Sequence, residues 1–147
     1  MSMIQIVTEK IDEAAVLESV KSDGAGACLL FSGTTRRVTG DKVTQTLSYQ
    51  AYQEMAIKLL NKLRDNAMER WPLIKFSIVH RVGEVPVGQT SVVVAVSSPH
   101  RVDAFQAAAW VMDTLKRDVP IWKQEIYQSG KQEWIHPDNK AEAAGGE

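Results

Sequence analysis

One cysteine, Cys28, stands among 147 residues. An intrachain disulfide is therefore impossible, and a disulfide-stapled scaffold is excluded. The three histidines, His80, His100 and His136, lack metal-ligand spacing and have no cysteine partners, so no metal site is expected. A charge surplus is missing too: 17 Lys and Arg oppose 18 Asp and Glu. Chains that grip nucleic acid through a global field are strongly basic, so nucleic acid is not an expected partner. No apolar run approaches the roughly 18 residues of a membrane helix. Met1-Ser2-Met3-Ile4-Gln5 lacks the basic and apolar regions of a signal peptide. A reducing, cytoplasmic setting away from membranes is expected. There is no Walker loop, no dinucleotide fingerprint and no internal repeat, and no cofactor is called for.

What is present is ordinary globular composition, 44% hydrophobic and 24% charged. A chain of this length buries roughly two-thirds of its surface on folding. Residues 1–137 read as a single domain and residues 138–147 as a flexible C-terminal tail.

Hydrophobic periodicity gives the elements. Met3–Val7 reads as a strand and Ile11–Lys21 as a helix. Ala27–Phe31 is a buried strand, with Cys28 as a small core residue. Ser32–Lys42 is a loop. Val43–Ala51 alternates, with Val43, Leu47, Tyr49 and Ala51 on one face and Thr44, Thr46, Ser48 and Gln50 on the other. Gln53–Arg70 is an amphipathic helix through Ala56, Leu59, Leu60, Leu63 and Ala67, stopped by Pro72. Lys75–Val82 and Thr90–Ser98 are strands joined by a turn holding Pro86 and Gly88. Pro99–Asp118 is a second long helix. Ile121–Tyr127 and Gln132–His136 form a closing hairpin around Ser129-Gly130. The fold class is α+β, with a mostly antiparallel sheet.

Three places could carry chemistry. Ser98 as N-cap and Pro99 as first helical residue would put His100 and Arg101 in the first turn of the second long helix. Unpaired N–H groups, Arg and His there make either an anion site or a surface arginine beside a core histidine. Val102, Phe105, Ala109 and Met112 form a stripe on that helix, and Lys116 falls inside it. Lys116 either snorkels outward or keeps its amine in a partly apolar pocket. Trp110 lies off the stripe and fits a buried interface or the intramolecular core. Lys123, beyond the helix break, reads as a solvated strand lysine. The loop Gly33-Thr34-Thr35-Arg36-Arg37 suits phosphate or carboxylate recognition.

These pieces, in this order, resemble the large, catalytic subunit of molybdopterin synthase. The matching residues are Phe31-Ser32-Gly33-Thr34-Thr35-Arg36, Tyr49-Gln50-Ala51-Tyr52 with Met55-Ala56, Arg70-Trp71-Pro72 and His80-Arg81-Val82-Gly83-Glu84-Val85. They continue as Ser98-Pro99-His100-Arg101, Met112-Asp113, Leu115-Lys116 and Pro120-Ile121-Trp122-Lys123-Gln124-Glu125. The likeness runs from about Gly26 to Ile135 and covers most of the chain.

The resemblance implies an α/β hammerhead-type fold with a small additional α+β subdomain. It implies an enzyme, a sulfurtransferase of molybdenum cofactor biosynthesis. Its substrate would be cyclic pyranopterin monophosphate, converted to the dithiolene molybdopterin with two sulfurs. The sulfur donor would be the C-terminal Gly-Gly thiocarboxylate of a small ubiquitin-like subunit. The assembly would be a homodimer within a heterotetramer. Lys116 and Lys123 match the family's active-site lysines. Arg36, His100 and Arg101 match its pterin-phosphate site, and Phe31 and Met112 its apolar lining. Some relatives add an arginine from the neighbouring subunit's C-terminal region; here Ile135-His136-Pro137-Asp138 holds none, and Lys131 and Lys140 are the cations nearby. The alternative is a non-catalytic paralogue that binds a phosphate ligand or the small subunit.

Overall fold

In the computed structural model, which describes residues 2–135, the chain forms nine strands and three helices among the described residues. In order these are β1 (Ile4–Val7), α1 (Glu13–Glu18), β2 (Ala27–Thr34), β3 (Val38–Thr39), β4 (Lys42–Ala51) and α2 (Gln53–Arg70). Then come β5 (Lys75–Arg81), β6 (Gly83–Pro86), β7 (Thr90–Ser98), α3 (Arg101–Asp118), β8 (Ile121–Tyr127) and β9 (Gln132–Ile135). One sheet has the order β1-β5-β7-β2, with β1 parallel to β5 and the other pairs antiparallel. The other runs β3-β4-β8-β9, with β6 also on β4, all antiparallel. The α+β expectation holds. Residues 136–147, including His136 and the expected tail, lie outside the described residues.

The first sheet is covered on both faces. Val92, Val94 and Val96 of β7 join Phe76, Ile78 and the buried sides of α2 and α3 in the main core. Val93 and Ala95 turn the other way, onto Val16 and Val20 beside α1. A strand buried on both faces reads as a continuous apolar run, which is why β7 is valine-rich throughout. Helix α2 has the expected bounds and buries Ala56, Leu60, Leu63 and Ala67. It stops where Trp71, before Pro72, turns extended.

Several expectations change. Helix α1 is shorter than Ile11–Lys21, because Asp12 caps it by accepting from the Ala15 N–H at 3.1 Å. The expected loop over 32–42 is mostly sheet: β2 runs on to Thr34, and β3 turns into β4 at Gly40, whose φ of +61° favours glycine. The expected turn before β7 contains β6. A register shift between Thr44 and Thr46 breaks the alternation of β4, so both threonines are buried. Cys28 is exposed rather than core. Its neighbour Leu30 packs under α1, but a six-residue helix leaves Cys28 uncovered.

Candidate active site

Helix α3 sets the geometry. His100, not Ser98, is its N-cap, and Arg101 is its first residue. The Ser98 hydroxyl donates to the His100 carbonyl at 2.6 Å instead of receiving a helix N–H. His100 makes no side-chain cap bond, and both His100 and Arg101 are exposed. The core-histidine alternative therefore fails. An exposed histidine and an exposed arginine thus stand at a helix start, a setting that favours an anion.

The stripe through Val102, Phe105 and Ala109 is not the buried face. Val102 and Phe105 are 57% and 59% exposed. The helix instead buries Ala104, Ala107, Ala108, Val111, Met112 and Leu115. Alanines on the buried face let the first half of the helix approach the valine sheet closely, Val111, Met112 and Leu115 fill the second half, and Val102 and Phe105 face outward. Met112 belongs to both sets and is buried. Trp110 is half-buried beside Trp71, ring centroids 5.5 Å apart, with the Arg70 guanidinium 4.7 Å from its ring. Lys116, one turn beyond Met112, is half-buried.

The chain leaves α3 through a short turn. Val119 donates to Leu115, and the Tyr52 N–H donates to the Pro120 carbonyl at 3.2 Å. This pins the start of β8 to the end of β4. Side chains of β8 alternate, so Ile121, Lys123, Glu125 and Tyr127 share the buried face. Lys123 is thus buried, only 8% exposed, and not the solvated lysine expected.

Strand register links Lys123 to the Gly33 end of β2. Lys123 pairs with Tyr49 on β4. The Tyr49 ring meets the buried His80 ring edge-on at 5.1 Å. His80 pairs with Val92, and Val92 with Gly33. Arg36 stands three residues after Gly33, just past the end of β2. It is exposed between two anchors: Thr35 donates to the Val85 carbonyl, and the Arg37 carbonyl accepts from Thr44. Phe31 is half-buried on β2 against the main core.

The sequence-derived residues fall into two groups along the chain path. Met112 and Lys116 lie on the last turns of α3 and Lys123 near the start of β8, with Phe31 midway along β2 opposite Val94 and Arg36 just beyond the end of β2. His100 and Arg101 start α3, and fifteen residues of helix separate Arg101 from Lys116, about 22 Å of axis at roughly 1.5 Å per residue.

Sequence reasoning missed Glu125 and Thr44. Glu125 is 1% exposed, and one carboxylate oxygen accepts from the Thr44 hydroxyl at 2.7 Å. The Tyr127 hydroxyl lies 3.4 Å from the other oxygen and donates to Glu133 at 2.8 Å. Lys42 reaches the same Glu133 oxygen at 3.2 Å. Burial first, then the Glu133 contact, holds the Tyr127 phenol well above its usual range. The Tyr127 bond, then Lys42, holds Glu133 below the usual carboxylate range. The period-two pattern of β8 could have found Glu125, but Trp122 and Ile126 make its other face equally apolar in sequence. A cleft of about 600 Å³ between Asp41, Lys42, Tyr127, Lys131 and Glu133 contains none of the residues in the two groups. No helix among the described residues is long and apolar enough to cross a membrane.

Two mostly antiparallel sheets around a helix with a cationic start and a lysine-bearing end define an α+β class of protein. Within it, the chain belongs to the MoaE protein family, whose model matches residues 6–118. It is 42% identical over 132 residues to a molybdopterin synthase catalytic subunit of Arabidopsis thaliana, covering 88% of this chain and 67% of that one. It is 40% identical over 128 residues to the catalytic subunit of Pyrococcus abyssi, covering 87% and 84%. A crystal structure of molybdopterin synthase from Staphylococcus aureus superposes with a TM-score of 0.86 at 38% identity, covering 92% and 98%. A Helicobacter pylori complex of molybdopterin-converting factor subunits 1 and 2 shares the fold, with a TM-score of 0.72 at 21% identity over 92% and 90%.

Proposed function

We propose that this chain is the catalytic subunit of a molybdopterin synthase. It converts a cyclic pyranopterin monophosphate to the dithiolene product, taking sulfur from the C-terminal thiocarboxylate of a small ubiquitin-like subunit in the cytoplasm. What supports the reading is a half-buried Lys116 near the end of α3 and a buried Lys123 on β8, in a chain similar to named catalytic subunits. Arg36 binds the anionic substrate, and Phe31 and Met112 line the apolar wall. Lys116 stabilises negative charge developing on the reacting groups or transfers a proton, and Lys123 assists or positions the incoming tail.

The 22 Å estimate adds a condition. One small substrate cannot touch both Arg101 and Lys116 of the same chain. If both ends serve one reaction, a second copy must bring its α3 N-terminus, with His100 and Arg101, to the Lys116 end of the first. The exposed Val102 and Phe105 beside Arg101 suit a face covered in such a dimer.

The test is a sulfur-transfer assay with the purified chain, the thiocarboxylated small subunit and cyclic pyranopterin monophosphate. Product is expected, and Lys116→Ala should lower turnover about 100-fold or more with the small subunit still bound. Mixing Lys116→Ala with Arg101→Ala should restore about a quarter of wild-type turnover, because half the dimers are mixed and each has one intact site. A stable complex without product would make the chain a non-catalytic paralogue. Wild-type turnover in Lys116→Ala would remove that lysine from the mechanism.

A further inference from the structure

Between β2 and β3 the chain crosses from the first sheet to the second, and Arg36 stands on that crossing. Thr35, the residue before it, is polar yet only 2% exposed. Its three polar groups are all bonded. The N–H donates to the Gln89 carbonyl at 3.0 Å, and the carbonyl accepts from the Gly88 N–H at 2.9 Å. These two bonds seat Thr35 on the turn before β7. That turn is itself fixed: the Gln89 N–H donates to the Pro86 carbonyl at 3.1 Å, and Gly88 has a φ of +85°, which favours glycine. The Arg81 guanidinium donates to the Gln89 side chain at 2.8 Å. The third bond differs in kind. The Thr35 hydroxyl donates to the Val85 carbonyl at 3.2 Å, and Val85 lies on β6, opposite Leu47 of β4. It therefore joins the end of the first sheet to the second. On the other side of Arg36, the Arg37 carbonyl accepts from the Thr44 N–H of β4 at 2.7 Å. The exposed Arg36 side chain thus leaves a backbone pinned on both sides. A valine would fill nearly the same space without needing a partner, so burial alone does not call for a hydroxyl at residue 35.

We infer that Thr35 is a positioning residue for Arg36: its hydroxyl ties the turn that carries Arg36 to the second sheet, and so fixes where the guanidinium meets the anionic substrate. The inference rests on the proposed role of Arg36 in binding that substrate. A guanidinium recognises an anion through a planar fork of donors, so a small displacement of its backbone weakens the contact. The second sheet also carries Lys123, on β8, so the same bond sets Arg36 relative to the strands that hold that lysine. A bulge gives the arrangement its structural basis. Gly33 pairs with Val92 but Thr34 with Thr90, which leaves Ser91 as the extra residue of β7. The Ser91 hydroxyl donates to the Gly33 carbonyl at 3.2 Å across the irregularity. Bulges bend a strand and re-aim its side chains, and this one comes immediately before Thr35.

The test is a double-mutant cycle in the sulfur-transfer assay, using the chain with its thiocarboxylated small subunit. Thr35→Val removes the hydroxyl and leaves both backbone bonds. It should raise the pterin KM about three- to tenfold, with kcat and small-subunit affinity within about twofold of wild type, because a substrate-binding contact is weakened and no reacting group is touched. Thr35→Ser restores the hydroxyl and should bring KM back to within about twofold of wild type. Arg36→Ala should raise KM further, about 10- to 100-fold, as loss of a charged hydrogen-bond donor does. The double variant Thr35→Val with Arg36→Ala should bind no more weakly than Arg36→Ala alone, because Thr35 acts only through Arg36. If Thr35→Val fails to fold, Thr35→Ala replaces it in the cycle, with the same expected KM range. Wild-type KM in a folded Thr35→Val overturns the inference and leaves Arg36 standing. So does a KM rise that Thr35→Ser shares, one that multiplies with that of Arg36→Ala, or a loss that falls on kcat or small-subunit affinity instead. Wild-type KM in Arg36→Ala removes Arg36 from substrate binding, and the inference falls with it.

Discussion

The two sheets bury polar side chains in different ways. In the four-stranded sheet, serine hydroxyls mostly close backbone gaps. Ser77 accepts from the Met3 N–H at 2.8 Å, Ser97 accepts from the Lys75 N–H at 3.2 Å, and Ser91 donates to the Gly33 carbonyl at 3.2 Å. In the second sheet, side chains bond to side chains and some are charged: buried Thr44 to buried Glu125, and buried Tyr127 to half-buried Glu133, which exposed Lys42 also reaches. A hydroxyl that satisfies a backbone group supports architecture at little electrostatic cost. Buried charges of opposite sign are weak stabilisers compared with apolar residues of the same size. The first sheet is the frame, and the second holds the groups whose retention needs a chemical reason.

The strongest way to break that contrast is through the frame. Phe76 is fully buried in the main core. Phe76→Ala should destabilise the chain by about 3–5 kcal/mol through lost burial and the cavity left behind. Denaturant unfolding would measure this. Turnover per folded molecule should stay near wild type, since Phe76 belongs to neither group of site residues. A loss of turnover in the folded fraction would show that frame and chemistry are not separable.

A middle-sized effect is expected where the frame meets the cationic start of α3. A Cβ built on Gly26 would lie 2.3 Å from the Pro99 carbonyl oxygen, and the Gly26 N–H donates to Ser98 at 3.1 Å. Backbone must move to admit a methyl group. Gly26→Ala should cost about 1–3 kcal/mol, the usual range for overpacking. It should also displace His100 and Arg101, raising the pterin KM while kcat holds. A kcat loss with unchanged KM would contradict the assignment of that end to binding.

How far the sequence was legible follows the same division. Helix α2 was readable because one face meets the core and the other meets water, so apolarity marks the phase. Helix α3 was misphased because the inward residues of its first half are alanines while Val102 and Phe105 there face outward; periodicity registers apolarity, not size. Cys28 looked like core because an apolar run does not reveal that β2 is an edge strand under a short helix. On the candidate-site side, the sequence offers Arg36, His100, Arg101, Lys116 and Lys123 as candidates. Their division into two ends is not legible there, since it follows from the path of α3. Glu125 was hidden because its partner Thr44 is turned inward by a bulge that alternation cannot foresee.

The smallest effect probes the outer edge of the charged network. The Tyr127 hydroxyl joins Glu133 to the buried Glu125. Tyr127→Phe removes that bond and should cost at most about 1 kcal/mol near neutral pH, because Glu133 is 38% exposed and water takes over part of the role. The pH dependence is more telling. Glu133 is held below the ordinary glutamate value, so its contribution is present above about 4.3 and is lost as pH falls through the lowered value. The Tyr127 phenol is raised, so its contribution is present below about 10 and is lost as pH rises beyond that. Unfolding of wild type and Tyr127→Phe from about pH 3 to about pH 11 should show both losses in the wild type. The variant should lack the alkaline loss and show a reduced acid one, since Lys42 still holds Glu133. An unchanged alkaline loss in Tyr127→Phe would mean that another group titrates there, and that the second sheet's network is not closed at Tyr127.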